Sequence, residues 1–248
     1  MGNSLIDGEQ HSVLVIGGLD VDVIRKDIKN LHISVMPPHG RVRVATPFHV
    51  NDDRVRSAVV TKLAWIKKQQ SDFEKQPRQS EREMVAGESH YFFGRRYRLE
   101  IVEVIGKSKI SIKGNNTLLL SVAPGIDKVK QLKILDEWYR EQLKERLPLL
   151  LAKWQTIVGE EANFCGIRKM KTKWGSCNTT DKRIWLNLEL AKKPPECLEY
   201  ILVHELVHLL ERHHNRRFKA FMDEFMPNWA LHRETLNSSP LANENWIY

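Results

Sequence analysis

Tyr200-Ile201-Leu202-Val203-His204-Glu205-Leu206-Val207-His208-Leu209-Leu210 sets two histidines and one glutamate in an otherwise apolar helical run. At roughly 100° per residue, His204 and His208 lie one turn plus about 40° apart, so both imidazoles project from one helix face and suit a single tetrahedral metal ion. Glu205 sits one residue on, within reach of a metal-bound water and outside the coordination sphere. Bound Zn²⁺ lowers the pKa of its water toward about 7, and a nearby carboxylate can take the proton during attack and return it to the leaving group. Two histidines four apart on a buried helix can also be plain core residues. A charged Glu among Leu202, Val203, Leu206, Val207 and Leu209 is costly to bury without a task, which favours the metal-site reading.

A catalytic metal of this kind keeps three protein ligands and one open position. Downstream, Glu211, His213, His214, Asp223 and Glu224 are the candidates for the third. On an unbroken helix Glu211 would share the face of His204, while His213 and His214 would point elsewhere. Asn215, however, is a good N-cap, and Phe218, Phe221, Met222 and Phe225 restart an apolar periodicity on a new phase. The expectation is a chain turn at 212–215 that lets His214 swing back to the metal, with Glu224 on the following helix as its main competitor.

Upstream of this helix come a strand at 165–170, a glycine-containing loop at Trp174-Gly175-Ser176-Cys177, a second strand at 183–188 and a helix start near Pro194-Pro195-Glu196. Further back, Val129, Leu132, Leu135, Trp138, Tyr139, Leu143 and Leu147 step at helical spacing from Asp127, and the pattern resumes after Pro148. Residues 13–123 read as short β-type runs. Ile33 and Val42 lie in alternating segments separated by Met36-Pro37-Pro38-His39-Gly40, which predicts a hairpin. Gly114-Asn115-Asn116 predicts a second. Asn51-Asp52-Asp53 caps one helix running to about Phe73 through Val55, Val59, Leu63 and Ile66, and the polar stretch 74–83 reads as an exposed loop. No internal repeat is visible. Strands followed by helices around a small sheet give an α+β class, divided near residue 125 into a β-rich N-terminal domain (1–125) and a helical domain (126–248).

The 248 residues carry 39 Lys and Arg against 31 Asp and Glu, a net charge of +8, with 42% hydrophobic residues, which is ordinary globular composition and excludes disorder as the dominant state. No apolar stretch approaches the roughly 20 residues needed to span a bilayer. The first ten residues show no basic segment followed by an apolar one, and Cys165, Cys177 and Cys197 form no Cys-x-x-Cys pair. A cytoplasmic chain with reduced thiols and no zinc ribbon is therefore expected.

Lys173-Trp174-Gly175-Ser176-Cys177, Ile184-Trp185-Leu186-Asn187-Leu188, Pro194, Val203-His204-Glu205-Leu206-Val207-His208-Leu209 and His214-Asn215-x-x-Phe218 together resemble the bacterial YgjP-like metallopeptidases, relatives of the SprT-like zinc proteases. Val23-Ile24-Arg25-Lys26, Trp65-Ile66 and Phe93-Gly94-x-x-Tyr97 extend the resemblance over about residues 20–230. It implies a zincin-like second domain, His204, His208 and His214 as Zn²⁺ ligands, and Glu205 as the catalytic base. Two positions depart from the family pattern: Lys173 stands where members commonly have Arg, and His213-His214-Asn215 stands for Asn-His-Ser. Asn for Ser keeps an N-cap, whereas Lys for Arg weakens any bidentate recognition there.

The expectation is a zinc-dependent hydrolase of the metallopeptidase type, acting on a peptide or protein. Lys173, Trp174 and Ser176 are the candidate substrate-binding residues, with Trp174 forming a cleft wall and strand 183–188 offering an edge to an extended peptide. In the alternative packing reading, Trp174 and Trp185 are core residues. Arg212, Arg216, Arg217 and Lys219 cluster beside the site, so an anionic substrate such as a nucleotide is the second reading. A DNA-associated protein with a structural metal is the third, although no nucleic-acid-binding motif accompanies the charge. Oligomeric state is not legible.

Overall fold

The structure, a computed structural model, describes residues 4–6, 9–36, 40–75, 82–170 and 173–238. The proline turn at 37–39 and the middle of the polar stretch, 76–81, lie outside the described residues. Packing divides the chain into an N-terminal unit ending at Gln79 and a second unit spanning Ser80–Ser239.

In the first unit, β1 (Ser4–Ile6), β2 (Glu9–Ile16), β3 (Leu19–Arg25), β4 (His32–Met36) and β5 (Arg41–Thr46) form a sheet in the order β1-β2-β3-β5-β4. Alternate residues Leu14, Ile16, Val21, Val23, Val35, Val42 and Val44 point to one face, where Val55, Val59 and Ile66 cover them. The expected hairpin is present, with Val35 opposite Val42. The single helix expected over 52–73 is two, α1 (Asp52–Thr61) and α2 (Leu63–Lys75), broken at Lys62. Asn51 caps α1 by accepting the Arg54 N–H at 3.0 Å.

The second unit begins with β6 (Ser89–Phe92), β7 (Arg95–Glu103), β8 (Lys109–Lys113) and β9 (Thr117–Val122), in the order β6-β7-β9-β8. This is the β2-β3-β5-β4 arrangement again: an antiparallel hairpin, a parallel neighbour, and an antiparallel edge strand. The helix after each copy is capped at the same interval from the last strand residue, Thr46 to Asn51 and Val122 to Asp127, and in both the backbone just beyond the second strand bonds to that residue (Lys26 N to Thr46 O, Val104 N to Val122 O, at 3.0 and 2.8 Å). A topological repeat therefore exists where the sequence shows none. Only the hairpin glycines and the caps recur, because those are the positions where backbone geometry dictates the side chain.

Helix α3 (Lys128–Val158) follows as one helix with Pro148 inside it. Its Leu135, Tyr139, Leu143 and Leu147 are buried, Tyr139 donating its hydroxyl to Tyr91 O at 2.7 Å, and Trp138 packs on Phe92 at 4.6 Å between ring centroids. This packing ties the second sheet to the helical part. Division by packing thus falls near residue 80, whereas the composition shift lies near 125.

Next come β10 (Phe164–Arg168), β11 (Gly175–Asn178) and β12 (Arg183–Asn187), ordered β10-β12-β11, then a short 3₁₀ helix (Leu188–Lys192), α4 (Pro195–Val207), α5 (Arg216–Phe225) and α6 (Trp229–Ser238). Two expectations are corrected here. Residues 175–178 are a strand, and the turn comes later, where Asn178 Oδ1 accepts the Thr180 and Asp181 N–H groups. Strand β12 is central, flanked by β10 and β11, and therefore offers no edge; β11 does. The α+β class stands, and no described helix is long and apolar enough to cross a membrane.

Candidate metal centre

Helix α4 is buried almost all round, through Cys197, Leu198, Tyr200, Ile201, Leu202, Val203, Leu206 and Val207. Each aliphatic side chain buried there contributes about 1.5–3 kcal/mol, so its orientation is rigid. The start of α4 is held from outside: the β6–β7 turn donates Phe93 N–H to Ala191 O at 2.8 Å. Gly94 lies so close to Pro194, the residue before α4, that a Cβ would sit 2.9 Å from Pro194 Cγ.

The helix ends at Val207. His208 then uses Nδ1–H to donate to Glu211 O at 3.1 Å, which leaves Nε2 with its lone pair free to face the site. Glu211 in turn accepts the His213 N–H at 3.1 Å, and Asn215 accepts the Phe218 N–H at 3.0 Å, capping α5. This is the expected turn, and it carries His214 back toward α4. His214 Nε2 stands 2.9 Å from His204 Nε2, and the ligand atoms of His204, His208 and His214 all lie within 4.8 Å of one another. Phe218 packs against all three rings at 4.8 to 4.9 Å between centroids.

These residues fit a metal ion on their own chemistry. Tetrahedral zinc with bonds of about 2.0–2.1 Å places its donors about 3.3 Å apart, inside the observed spread. Burial, followed by the neighbouring His208 and His214 and by Arg233, holds His204 down to about 3. Burial also lowers His208 and His214. Three neutral imidazoles with lone pairs are what a borderline-soft cation requires.

Glu205 is only 4% exposed. Burial pushes its carboxyl up to about 8, against an opposing pull from Lys173, and its Oε2 has no hydrogen-bond partner among the described residues. A buried orphan oxygen on the residue next to His204 is a polar group waiting for a hydrogen-bond partner. Gly175 of β11 lies directly on it: a Cβ there would be 2.5 Å from Glu205 Oε1, 2.7 Å from Cγ and 2.8 Å from Cδ.

Of the other expected residues, Glu224 is exposed and stands outside the triad, and Asp223 accepts the Trp229 indole N–H at 2.6 Å. Trp174 is 6% exposed, with Lys193 Nζ 5.2 Å from its ring. Ser176 is half-buried and alternates with Gly175, so its side chain takes the face of β11 opposite Glu205. Lys173 is exposed and its charge reaches Glu205. Arg212, Arg216, Arg217 and Lys219 are exposed.

Sequence reasoning missed Gly175 as a spacer for Glu205, and it missed Asn187. That buried amide accepts from Met170 N and Glu189 N and donates to Met170 O and Lys173 O at 2.7 to 3.3 Å, fastening the approach to β11 onto the end of β12. Its signal was a polar residue closing an apolar strand.

A family model for the YgjP-like metallopeptidase domain matches residues 29–239. The chain belongs to this family. Its members' domain accounts for both packing units except the first strands. Among solved structures, the metallopeptidase zymogen abylysin of Pyrococcus abyssi is similar at 24% identity and a TM-score of 0.31, over 35% of this chain and 84% of that one. No curated protein matches significantly.

Proposed function

We infer that this metallopeptidase domain is a zinc-dependent peptidase in which His204, His208 and His214 hold the metal and Glu205 is the general base. The observation that carries the reading is the convergence of three imidazoles, with the neighbouring residue of His204 a buried glutamate whose Oε2 lacks a partner among the described residues. Zinc, when bound, supplies Lewis acidity and an acidified water. Burial raises the proton affinity of Glu205, so that a proton taken from the attacking water is held long enough to be delivered to a departing amine. Burial excludes bulk water from that carboxylate, and Gly175 fixes its distance from β11.

An extended peptide has a place to lie. Asn187 N–H bonds to Trp174 O at 2.8 Å, so by antiparallel alternation the N–H and C=O groups of Gly175 and Cys177 point toward the open edge of β11. Lys173 stands at the start of that edge and would meet an acidic group of the substrate. Glu205→Gln tests the whole reading. The zinc-loaded variant is expected to keep stoichiometric metal and to lose hydrolysis of a peptide library; full activity refutes the role of Glu205. A nucleotide panel run alongside, hydrolysed by wild type in preference to peptides, would overturn the substrate class.

A further inference from the structure

The face of the small sheet that turns away from Glu205 carries side chains with no part in the site so far described. Cross-strand register separates the two faces. Ile167, Leu186 and Gly175 stand in one row, and Gly175 rests on Glu205. The alternate residues share the opposite face: Phe164 and Arg183 in one row, Gly166, Trp185 and Ser176 in the next, and Arg168 beyond it. Phe164 and Trp185 lie against each other, 4.9 Å between ring centroids. Gly166 makes room for them, since a Cβ there would come within 2.6 Å of the Phe164 ring and 2.9 Å of Trp185 Cζ3. A guanidinium stands over each ring: Arg183 Cζ is 4.4 Å from the Phe164 centroid, and Arg168 Cζ is 5.3 Å from the Trp185 ring. Both rings are half-buried and both arginines are exposed.

The adjoining lysines behave differently. Lys169 pairs with Asp136 at 3.2 Å, and Lys182 pairs with Glu160 at 2.8 Å. Neither Arg168 nor Arg183 has a hydrogen bond or ion pair among the described residues. Stacking on a ring orients a guanidinium plane and leaves its N–H edge unspent. Such an edge suits a carboxylate, which accepts two parallel N–H groups. A nucleic-acid strand needs open ring faces for its bases; here each ring has a guanidinium over it and the other ring tilted against it at 56°. The two arginines issue from rows on either side of Trp185, so they address two anionic groups separated by an apolar interval, as acidic side chains two or more residues apart in an extended chain are. Ser176, in the Trp185 row, belongs to the edge strand β11. A peptide paired with that edge therefore sets every second side chain on this same face.

We propose that this face is a second substrate-binding surface, at which Arg168 and Arg183 hold carboxylates of an acidic segment of the protein substrate. The proposal rests on the peptidase reading above and names its substrate class, proteins with an acidic segment near the cleaved bond.

The test uses the full zinc-loaded chain and two quenched fluorogenic peptides that share one cleaved sequence. One carries a flanking segment of Asp and Glu around an apolar residue, the other Asn and Gln at the same places. Wild type is expected to favour the acidic peptide by about tenfold in kcat/KM, the gain lying in KM. The preference should shrink as salt is raised and disappear in an Arg168→Gln/Arg183→Gln double variant. Arg168→Lys/Arg183→Lys should restore only part of it, because an ammonium lacks the planar fork. The same acidic peptide, fluorescein-labelled, should bind the zinc-free full chain by anisotropy and bind the double Gln variant about tenfold more weakly. Equal cleavage of the two peptides by wild type, or anisotropy indifferent to both substitutions, overturns the proposal and leaves the peptidase reading intact. Tighter binding of a labelled oligothymidylate or oligouridylate than of the acidic peptide, lost in the double variant, overturns the choice of occupant. If wild type cleaves neither peptide while anisotropy still separates it from the variant, the carboxylate-binding surface stands and the peptidase reading falls.

Discussion

Replacing Gly175 by alanine isolates the contact that sets the position of Glu205. Three Glu205 atoms lie 2.5, 2.7 and 2.8 Å from the point where the new Cβ must go, and these include the root of the carboxyl group as well as its tip. Non-bonded carbon contacts settle at about 3.5–4.0 Å, so base and strand must part by roughly 1 Å. Neither yields easily. Glu205 is buried on a helix packed on nearly every face, and β11 is bonded to β12 from Gly175 to Asn178. A misplacement of about 1 Å costs on the order of 10²-fold in rate, and overpacking of this kind destabilises by about 1–3 kcal/mol. Gly175→Ala should therefore lower kcat/KM on a fluorogenic peptide about 100-fold while bound zinc stays stoichiometric, because the three atoms nearest the new methyl group all belong to Glu205. Urea denaturation should report the stability loss. Activity within threefold of wild type, with a folded protein, would refute the claim that β11 holds Glu205 in place.

Other perturbations separate ligand, scaffold and pH effects. His214→Ala should abolish stoichiometric zinc binding measured by metal analysis, whereas Glu224→Ala should leave it unchanged; the reverse pattern would reinstate the carboxylate as third ligand. Asn187→Leu leaves two backbone donors and two carbonyls without their partner, and should cost about 3 kcal/mol or more in urea unfolding; a loss below 1 kcal/mol would show that water substitutes for the amide. His90 is held down to about 4 by burial, with Arg82 adding to the effect and Glu88 opposing it. The unfolded chain protonates this ring near pH 6.5 and the native one does not, so stability contributed by neutral His90 is complete above 6.5. It should fall by about 3 kcal/mol as pH drops to about 4. A His90→Gln protein with the same acid dependence as wild type would exclude His90 as its source.

The helix of His204 and His208 was legible because its information is local. His204, Glu205 and His208 are fixed by helical spacing in an apolar run, and Asn215 announced the turn that returns His214, since a cap must accept the N–H three residues on. What stayed hidden depends on contacts between distant segments. Gly175 looked like a turn residue because glycine is most often that; its actual task is to lack a Cβ beside Glu205, thirty residues away in the chain, which no local pattern encodes. The edge strand was misplaced for the same reason: β12 has the stronger β-type composition, yet order within the sheet follows from β10 pairing parallel to β12, which leaves the weak strand Gly175–Asn178 at the edge. The same logic explains the division of the chain. Composition changes near residue 125, where strands give way to helix, but the sheet β6–β9 needs α3 to cover its apolar face, so Leu135, Tyr139 and Leu143 draw it into the second unit. Its β6–β7 turn then seats against Ala191 and Pro194 at the head of α4. A sheet without chemistry of its own thereby positions the helix that carries His204 and His208. The recurrence of the same strand order in the N-terminal unit shows one scaffold used twice, with this docking role seen in the copy that precedes α4.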